Sequence, residues 1–134
     1  MPDGPLLDHL NIAVPDLERS LAFYEPVLAS IGIDKVLVLP PGELPEMHGF
    51  GTDRPFFWLI ADGRVGTNMH LAFTAGTRET VQRFYDTALG HGGVSLHAPA
   101  VHPEYHRHYY GAFVADPDGI NLEAVCHLPP AGAE

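Results

Sequence analysis

Two histidines and one glutamate are the residues of this sequence best suited to chemistry. His9 begins a short segment that is repeated 61 positions later, where His70 takes its place. Glu123 lies within an apolar run, between Leu122 and Ala124, and a buried carboxylate needs a compensating partner. Two imidazoles and one carboxylate leave positions open on a divalent ion such as Fe(II) or Mn(II). The sequence therefore predicts a metal site made of His9, His70 and Glu123.

A lone histidine on a strand is more often a hydrogen-bonded core residue than a metal ligand. Here the two histidines occupy equivalent places, because the repeat continues without a gap. Residues 23–24 match 84–85, Leu28 matches Leu89, and Gly32 matches Gly93. A repeat of this kind is typical of two copies of one structural unit, which favours the metal-site interpretation.

Each copy is predicted to contain a strand, an amphipathic helix and two or three further strands. In the first copy we expect strands at 6–14, 36–39 and 56–61, a helix at 17–31 capped by Asp16, and a loop at 40–52. In the second we expect strands at 69–75, 94–96, 109–115 and 120–126, a helix capped near Thr77, a loop at 98–108 and a tight turn at 116–119.

These elements predict an α+β fold in which two βαβββ modules form a single cup-shaped, curved sheet with helices outside. The modules span about residues 6–62 and 68–127, and residues 128–134 form a tail. The chain of 134 residues is predicted to be a single domain covering residues 1–134.

The amino-acid composition restricts the classes of partner that the protein can bind. The formal net charge is −10, which opposes binding to nucleic acid or to an anionic membrane surface. No apolar run is long enough to cross a bilayer and the first residues do not resemble a signal peptide, so we expect a cytoplasmic protein. Cys126 is the single cysteine and is predicted to lie in the core.

Strand alternation predicts the lining of the cup. Asn11 shares a face with His9, and Asn121 shares one with Glu123. Phe56 and Trp58 are expected to be apolar walls of the substrate cavity. Aligning the turns of the two copies places Trp58 at the position equivalent to Glu123, where an indole cannot bind a metal. Trp58 is either a wall beside the ion or core filling, and Asp62 is a weaker candidate for a fourth ligand.

The histidine-rich loop before the last hairpin supplies candidate catalytic residues. If residues 116–119 form a four-residue turn, Ala112 lies opposite Glu123, and Tyr110 and His108 share the face of the carboxylate. A tyrosine hydroxyl can polarise a bound oxygen, and His108 or His106 can transfer protons near neutral pH. The loop is alternatively a solvated segment or an accidental surface metal site. His97 and His102 are weaker candidates for an active-site role, while His48, His91 and His127 are predicted to lie at the surface.

Four segments, residues 8–14, 20–24, 70–73 and 116–123, resemble the vicinal oxygen chelate superfamily, which includes glyoxalases, bleomycin-resistance proteins and extradiol dioxygenases. The resemblance covers about residues 6–127. It implies that His9, His70 and Glu123 are metal ligands and that the protein is a homodimer, with a site lying within one chain or shared between two. Glyoxalase I enzymes usually have a carboxylate where this chain has Trp58, so the resemblance to that activity is incomplete.

The resemblance implies a small metal-dependent enzyme. One divalent ion per site, Fe, Zn, Mn, Ni or Co, would chelate vicinal oxygens of a small-molecule substrate, and the reaction would be of the lyase, isomerase or dioxygenase type. The alternative is a non-catalytic protein that sequesters an antibiotic or another ligand, as bleomycin-resistance proteins do. The net charge of −10 is compatible with a cationic ligand of that kind.

Overall fold

The computed structural model describes residues 7–132, and this part of the chain contains two helices and eight strands. The strands are β1 (Leu10–Ala13), β2 (Asp34–Leu39), β3 (Met47–Gly51), β4 (Pro55–Ile60), β5 (His70–Thr74), β6 (Val94–Val101), β7 (Tyr110–Ala115) and β8 (Asn121–Cys126). The helices are α1 (Leu17–Ala29) and α2 (Arg78–Gly90).

The strands form two four-stranded mixed sheets with the same topology. The first has the order β1-β4-β3-β2 and the second the order β5-β8-β7-β6. In each sheet the first strand pairs parallel with the fourth, while the remaining pairs are antiparallel. The predicted α+β fold of two βαβββ modules is confirmed, although the strands form two sheets where we expected a single curved one. The predicted start of β1 at residue 6 falls outside the described residues.

Both helices begin where the sequence predicts. The Asp16 side chain accepts a hydrogen bond from the Arg19 backbone N–H at 3.1 Å, and Thr77 does the same for Thr80 at 3.1 Å. These contacts satisfy backbone donors that the first helical turn leaves without partners. The chain leaves α1 at Gly32, whose φ of 86° is readily adopted by glycine.

The predicted loop at 40–52 is wrong in its second half, because β3 lies there. Gly49 and Gly51 indicated a loop, but they serve close packing. A Cβ atom on Gly49 would lie 2.9 Å from the Trp58 ring, and one on Gly51 would lie 1.9 Å from the Arg54 carbonyl oxygen. The two glycines therefore let β3 approach β4 and the turn that joins them.

The second loop prediction, at 98–108, is wrong at its start because β6 continues to Val101. Pro99 has no N–H to donate, and the pairing of β6 with β7 is irregular between His97 and Ala100. Since β6 is an edge strand, the sheet tolerates this proline. The extension matters because it places the rings of His97 and His102 against Phe113 of β7.

His48 is buried, so the prediction of a surface histidine is wrong. It lies in β3 and pairs with Leu59 of β4, and its Nε2 atom is 2.6 Å from Glu46 Oε2. His91 and His127 are exposed as predicted, and Cys126 is buried as predicted.

One hydrophobic cluster includes side chains from both modules. The rings of Phe57 and Phe73, one from each sheet, pack edge to face with their centres 5.4 Å apart. In residues 7–132 no helix is long and apolar enough to cross a membrane.

A polar contact also joins α1 to the turn between β7 and β8. The buried Tyr24 hydroxyl donates a hydrogen bond to Asp116, and Arg19 Nη2 lies 2.6 Å from Asp118 Oδ1. Asp116 further accepts the backbone N–H groups of Asp118 and Ile120 at 2.8 and 2.9 Å. Burial raises the pKa of the Asp116 carboxyl, while the Tyr24 hydroxyl opposes that rise.

Replacing Tyr24 by phenylalanine is expected to reduce the free energy of unfolding by about 1.5–3 kcal/mol at neutral pH, the range for a hydrogen bond to a charged group. The hydroxyl lowers the pKa of Asp116 in the folded state, so its contribution is present above that pKa and is lost as the pH falls through it. The free energies of unfolding of the native and Tyr24→Phe proteins should therefore converge as the pH falls. Urea unfolding of the two proteins from pH 7 down to pH 4 measures this change.

Tyr85→Phe is the matched control for Tyr24→Phe. Tyr85 is the equivalent residue of the second module, and its hydroxyl donates to the Ser95 hydroxyl at 2.7 Å. Because neither partner is a carboxylate, the deficit of this variant should not change over the same pH range. A deficit of Tyr24→Phe that stays constant with pH would contradict the prediction.

Candidate functional site

The carboxylate of Glu123 is the centre of the candidate site. The residue lies in the middle of β8 and is 1% exposed. Its Oε1 atom is 2.8 Å from His70 Nε2, and its Oε2 atom accepts a hydrogen bond from the Tyr109 hydroxyl. Both carboxylate oxygens therefore have a partner, which offsets the large cost of burying a charge.

Strand register brings these groups together. Glu123 pairs with Ala72 of β5 and with Phe113 of β7, so alternate residues of three strands face the same side. His70 lies two residues before Ala72, and its side chain is 49% exposed. The site thus has a buried carboxylate at its base and a half-exposed imidazole at its opening.

The prediction that Ala112 lies opposite Glu123 is wrong, since Phe113 occupies that place. The chain between β7 and β8 spans residues 116–120, because Ala115 pairs with Asn121. This connection is one residue longer than the turn that the sequence predicts. The shift reverses the faces of β7, so Tyr109 contacts Glu123 and Tyr110 does not.

Tyr110 lies instead against α2. Its hydroxyl accepts a hydrogen bond from Gln82 Nε2 at 2.9 Å, and the Arg78 guanidinium lies over its ring at 4.9 Å. The expected contact of Tyr110 with the face of the carboxylate is therefore wrong. The alternation that selected Tyr110 would have selected Tyr109 if the connection had been read as five residues.

The other two candidate catalytic residues lie at the periphery. Arg107 Nε donates to His108 Nε2 at 3.0 Å, and desolvation together with the neighbouring Arg107 lowers the pKa of His108. His106 Nε2 is 2.9 Å from His127 Nδ1, and the His106 ring packs edge to face on Tyr109. His106 is therefore next to the site only through Tyr109.

His9 is not joined to the other two predicted metal ligands within the described chain. Its Nδ1 atom is 2.6 Å from Asp8 Oδ1, and its side chain is 52% exposed. The hydrogen bond from His9, and also Arg54, lower the pKa of Asp8. In residues 7–132 no group of three or more His, Cys, Asp or Glu side chains is placed to hold a metal ion. A single chain thus offers two suitable donors, His70 and Glu123.

The register places Trp58 at the position equivalent to Glu123, as the alignment of the two turns predicts. Trp58 pairs with Asn11 as Glu123 pairs with Ala72, and residues 11 and 72 are equivalent in the repeat. The indole lies over Gly49. Asp62 is exposed in the bend after β4, with a φ of 64°.

The three other residues that were predicted to line the substrate cavity lie in three different parts of the structure. Asn11 is exposed on β1. Phe56 lines an apolar cleft of about 120 Å³ together with Leu7, Leu10 and Ala72. Asn121 lines a separate and larger cavity beside the carboxylate.

This cavity has a volume of about 320 Å³, at the lower end of the range for small-molecule sites. Phe113, the strand neighbour of Glu123, forms one wall, and its ring centre is 5.9 Å from that of His70. The lining consists of Leu96, His97, His102, Glu104, Tyr105, Phe113 and Asn121. The sequence prediction ranked His97 and His102 below His106 and His108 and did not select Glu104, although the density of histidines in this loop was a usable signal.

Comparison with known proteins identifies the family of this arrangement. Residues 6–124 match the model of the Glyoxalase/Bleomycin resistance protein/Dioxygenase superfamily. A glyoxalase/bleomycin resistance protein from Albidiferax ferrireducens is 23% identical, with a TM-score of 0.75 over 91% of this chain and 99% of that one. No curated protein matches the sequence significantly.

Two further solved structures are similar to this chain. The fosfomycin resistance protein FosX from Mesorhizobium loti is 19% identical, with a TM-score of 0.65 over 93% of this chain and 92% of that one. Lactoylglutathione lyase from Agrobacterium tumefaciens is 21% identical, with a TM-score of 0.63 over 93% and 94%. At these identities the similarity shows the fold alone.

Gly111→Ala is expected to disturb the carboxylate site directly. A Cβ atom at this position would lie 2.9 Å from Glu123 Oε2 and 3.2 Å from the Tyr109 ring. Both atoms belong to groups fixed by hydrogen bonding, so we expect a loss of about 1–3 kcal/mol in the free energy of unfolding, as for other overpacked sites. Chemical denaturation provides the measurement.

Gly90→Ala is the control for this substitution. Gly90 ends α2, and a Cβ atom there meets nothing within 4 Å. We expect this variant to be unchanged or more stable, by up to about 1 kcal/mol, because alanine favours the helix. Equal stability of the Gly111→Ala and native proteins would show that the carboxylate has room to move.

Proposed function

Because the chain belongs to the Glyoxalase/Bleomycin resistance protein/Dioxygenase superfamily, we propose that it is a small metalloenzyme whose divalent ion is held by His70 and Glu123. The observation that carries this proposal is the buried Glu123 carboxylate, 2.8 Å from a half-exposed imidazole and beside a cavity of small-molecule size. An imidazole nitrogen and a carboxylate oxygen suit Zn, Fe, Mn, Ni or Co.

We propose that His9 of a second copy completes the site. The ion needs a third protein donor to resemble known open sites, and His9 of the same chain is engaged with Asp8. A symmetric dimer would place His9 of each copy at the site of the other and would form two equivalent centres. The half-exposed imidazole of His9 is free to make such a contact after leaving Asp8.

Tyr109 is proposed to position the carboxylate. Burial, and then the hydrogen bond to Glu123, raise the pKa of Tyr109, so the hydroxyl remains a proton donor at neutral pH. By occupying Oε2 it leaves Oε1 directed to His70. Tyr109 lies beside Glu123, where the sequence predicted Tyr110, while His106 and His108 remain candidates for proton transfer at the edge of the site.

A bound divalent ion would supply Lewis-acid chemistry to two vicinal oxygens of a small substrate. The contribution of the chain is to fix the two donors and to provide a partly apolar cavity beside them. Trp58 stands at the position that is equivalent to Glu123, so the first module contributes no carboxylate there. This favours a lyase, isomerase or dioxygenase reaction at a three-donor ion.

The alternative function is sequestration of a ligand without chemistry. It is favoured by the separation of His9 from the other two residues, since no three-residue metal group is present in the described chain. In that case the hydrogen bonds of Glu123 to His70 and Tyr109 would have a structural role alone. Metal content separates the two functions.

A complementation experiment tests the shared site. His9→Ala and His70→Ala chains, purified with a tag that contains no histidine, should each lose the ion that the native protein retains. When the two chains are refolded together, half of the dimers are hybrids, and each hybrid has one intact site. Metal analysis should therefore recover about a quarter of the native content, the statistical expectation for a two-fold dimer.

Three results would contradict these proposals in different ways. Absence of metal from the native protein, with no rise in melting temperature on adding divalent ions, would exclude the metalloenzyme. Retention of metal by the His9→Ala protein would exclude His9 as the third donor. Loss in both variants without recovery in the mixture would mean that each site lies within one chain.

Tyr109→Phe is expected to weaken metal binding about 10–100-fold, as is common when a hydrogen bond to a metal ligand is removed. Tyr110→Phe is the matched control, because its hydroxyl contacts Gln82 on the other side of the sheet. Competition with a metal-binding dye measures both affinities. Equal affinities of the two variants would mean that Tyr109 does not position Glu123.

A further inference from the structure

Two residues that line the cavity beside Glu123 each have a buried polar atom without a hydrogen-bond partner among residues 7–132. The two atoms are His102 Nε2 and Asn121 Oδ1. The His102 side chain is only 10% exposed. Leaving a buried polar group without a partner costs folding free energy, so a ligand that satisfies both atoms would regain that cost.

Hydrogen bonding in the lining determines what these atoms can do. His102 Nδ1 is directed to the Glu104 carboxylate at 3.4 Å, and His97 Nδ1 is directed to the Ala98 carbonyl oxygen at 2.8 Å. Since carboxylate and carbonyl oxygens only accept, both Nδ1 atoms carry the proton in the neutral rings. The two Nε2 atoms are therefore acceptors, and Asn121 Oδ1 is an acceptor as well.

The charge of the lining is negative. The hydrogen bond from its own backbone N–H, and the one from His102, lower the pKa of Glu104, so the carboxylate is ionised at neutral pH. The lining includes no lysine or arginine. The aromatic rings of Tyr105 and Phe113 also belong to it, and the face of an aromatic ring attracts cations.

We propose that this cavity binds the protonated amino group of an organic amine. Its N–H groups would donate to His102 Nε2 and Asn121 Oδ1, and its charge would be balanced by Glu104. A carboxylate or phosphate ligand has no proton to donate to these two acceptors, and it would be repelled by the negative charge of Glu104. An alcohol has one proton to donate, too few for two unsatisfied acceptors.

We further propose that the amine is the substrate of the Glu123 site, and this step alone rests on the proposed function. Phe113 and Asn121 connect the two regions, since Phe113 pairs with Glu123 and Asn121 pairs with His70. A molecule anchored by its amino group in the cavity would extend toward the His70 imidazole. The substrate class is thus a small amine that also carries oxygen atoms.

Three probes with the same frame test the selectivity of the cavity: 2-phenylethylamine, 2-phenylethanol and phenylacetate. Binding to the full-length protein is measured by calorimetry, both after treatment with chelator and after loading with metal. In the chelator-treated protein, where no ion can hold a carboxylate, we expect the amine to bind at least about tenfold more tightly than the alcohol, a difference that corresponds to about one lost hydrogen bond, and we expect no binding of phenylacetate. Equal or tighter binding of phenylacetate would overturn the proposal.

Variants of the lining separate recognition from folding. Asn121→Leu removes one unpartnered acceptor, so it should weaken amine binding about tenfold while leaving the melting temperature unchanged or higher. Glu104→Gln should weaken binding severalfold, a smaller effect, because its side chain is 62% exposed and the charge is screened by water. Glu43→Gln, an exposed change in the other module, is the control for net charge and should bind normally.

The outcomes remain distinguishable from those for the metal site. Selective amine binding by a protein that takes up no metal would support the cavity and exclude the metalloenzyme. Metal binding without selectivity for the amine would support the metal site at His70 and Glu123, and it would overturn the proposal that the cavity binds amines. Amine binding that is unchanged in Asn121→Leu and Glu104→Gln would show that the amine binds elsewhere, which also overturns it.

Discussion

Burial of one carboxylate constrains the second module more than any other feature. A carboxylate that is 1% exposed needs hydrogen-bond partners at fixed positions, since removing such a group from water without partners is costly. The register of β5 supplies the imidazole of His70, and the register of β7 supplies the hydroxyl of Tyr109. Gly111 has no side chain, which leaves the space that the carboxylate occupies. A shift of one residue in either strand would remove a partner and turn other side chains toward the charge.

At the equivalent pair of strands, the two modules place the large side chain on different strands. In the first, the large Trp58 faces Gly49 on the neighbouring strand. In the second, Glu123 faces Phe113 at the equivalent pair. The large side chain has moved from the fourth strand of the module to the third, and the place that it leaves holds a carboxylate. The repeat thus preserves the backbone while concentrating the polar chemistry in one copy.

The sequence predicted the features that depend on local pattern. The repeat located both modules, Asp16 and Thr77 marked the helix starts, and alternation placed His70 and Glu123 on one side of a sheet. The failures arose where tertiary packing overrides a local signal. Gly49 and Gly51 resemble loop residues until the Trp58 ring and the Arg54 carbonyl are seen beside them. The connection after Ala115 is one residue longer than its turn motif suggests, and this single residue exchanged Tyr110 for Tyr109. The separation of His9 depends on how two modules pack, which no local pattern encodes.

The contact between Tyr24 and Asp116 has a consequence for the order of folding. The two residues are 92 positions apart, and contacts of long separation form late because a large loop must first be closed. During synthesis the first module is made well before Asp116. Until then the Tyr24 hydroxyl of α1 lacks the acceptor that it has in the folded protein. The hydroxyl gains its acceptor only when the second module packs against the first. The turn between β7 and β8 thus completes the polar contacts of α1, although it is made almost a hundred residues later.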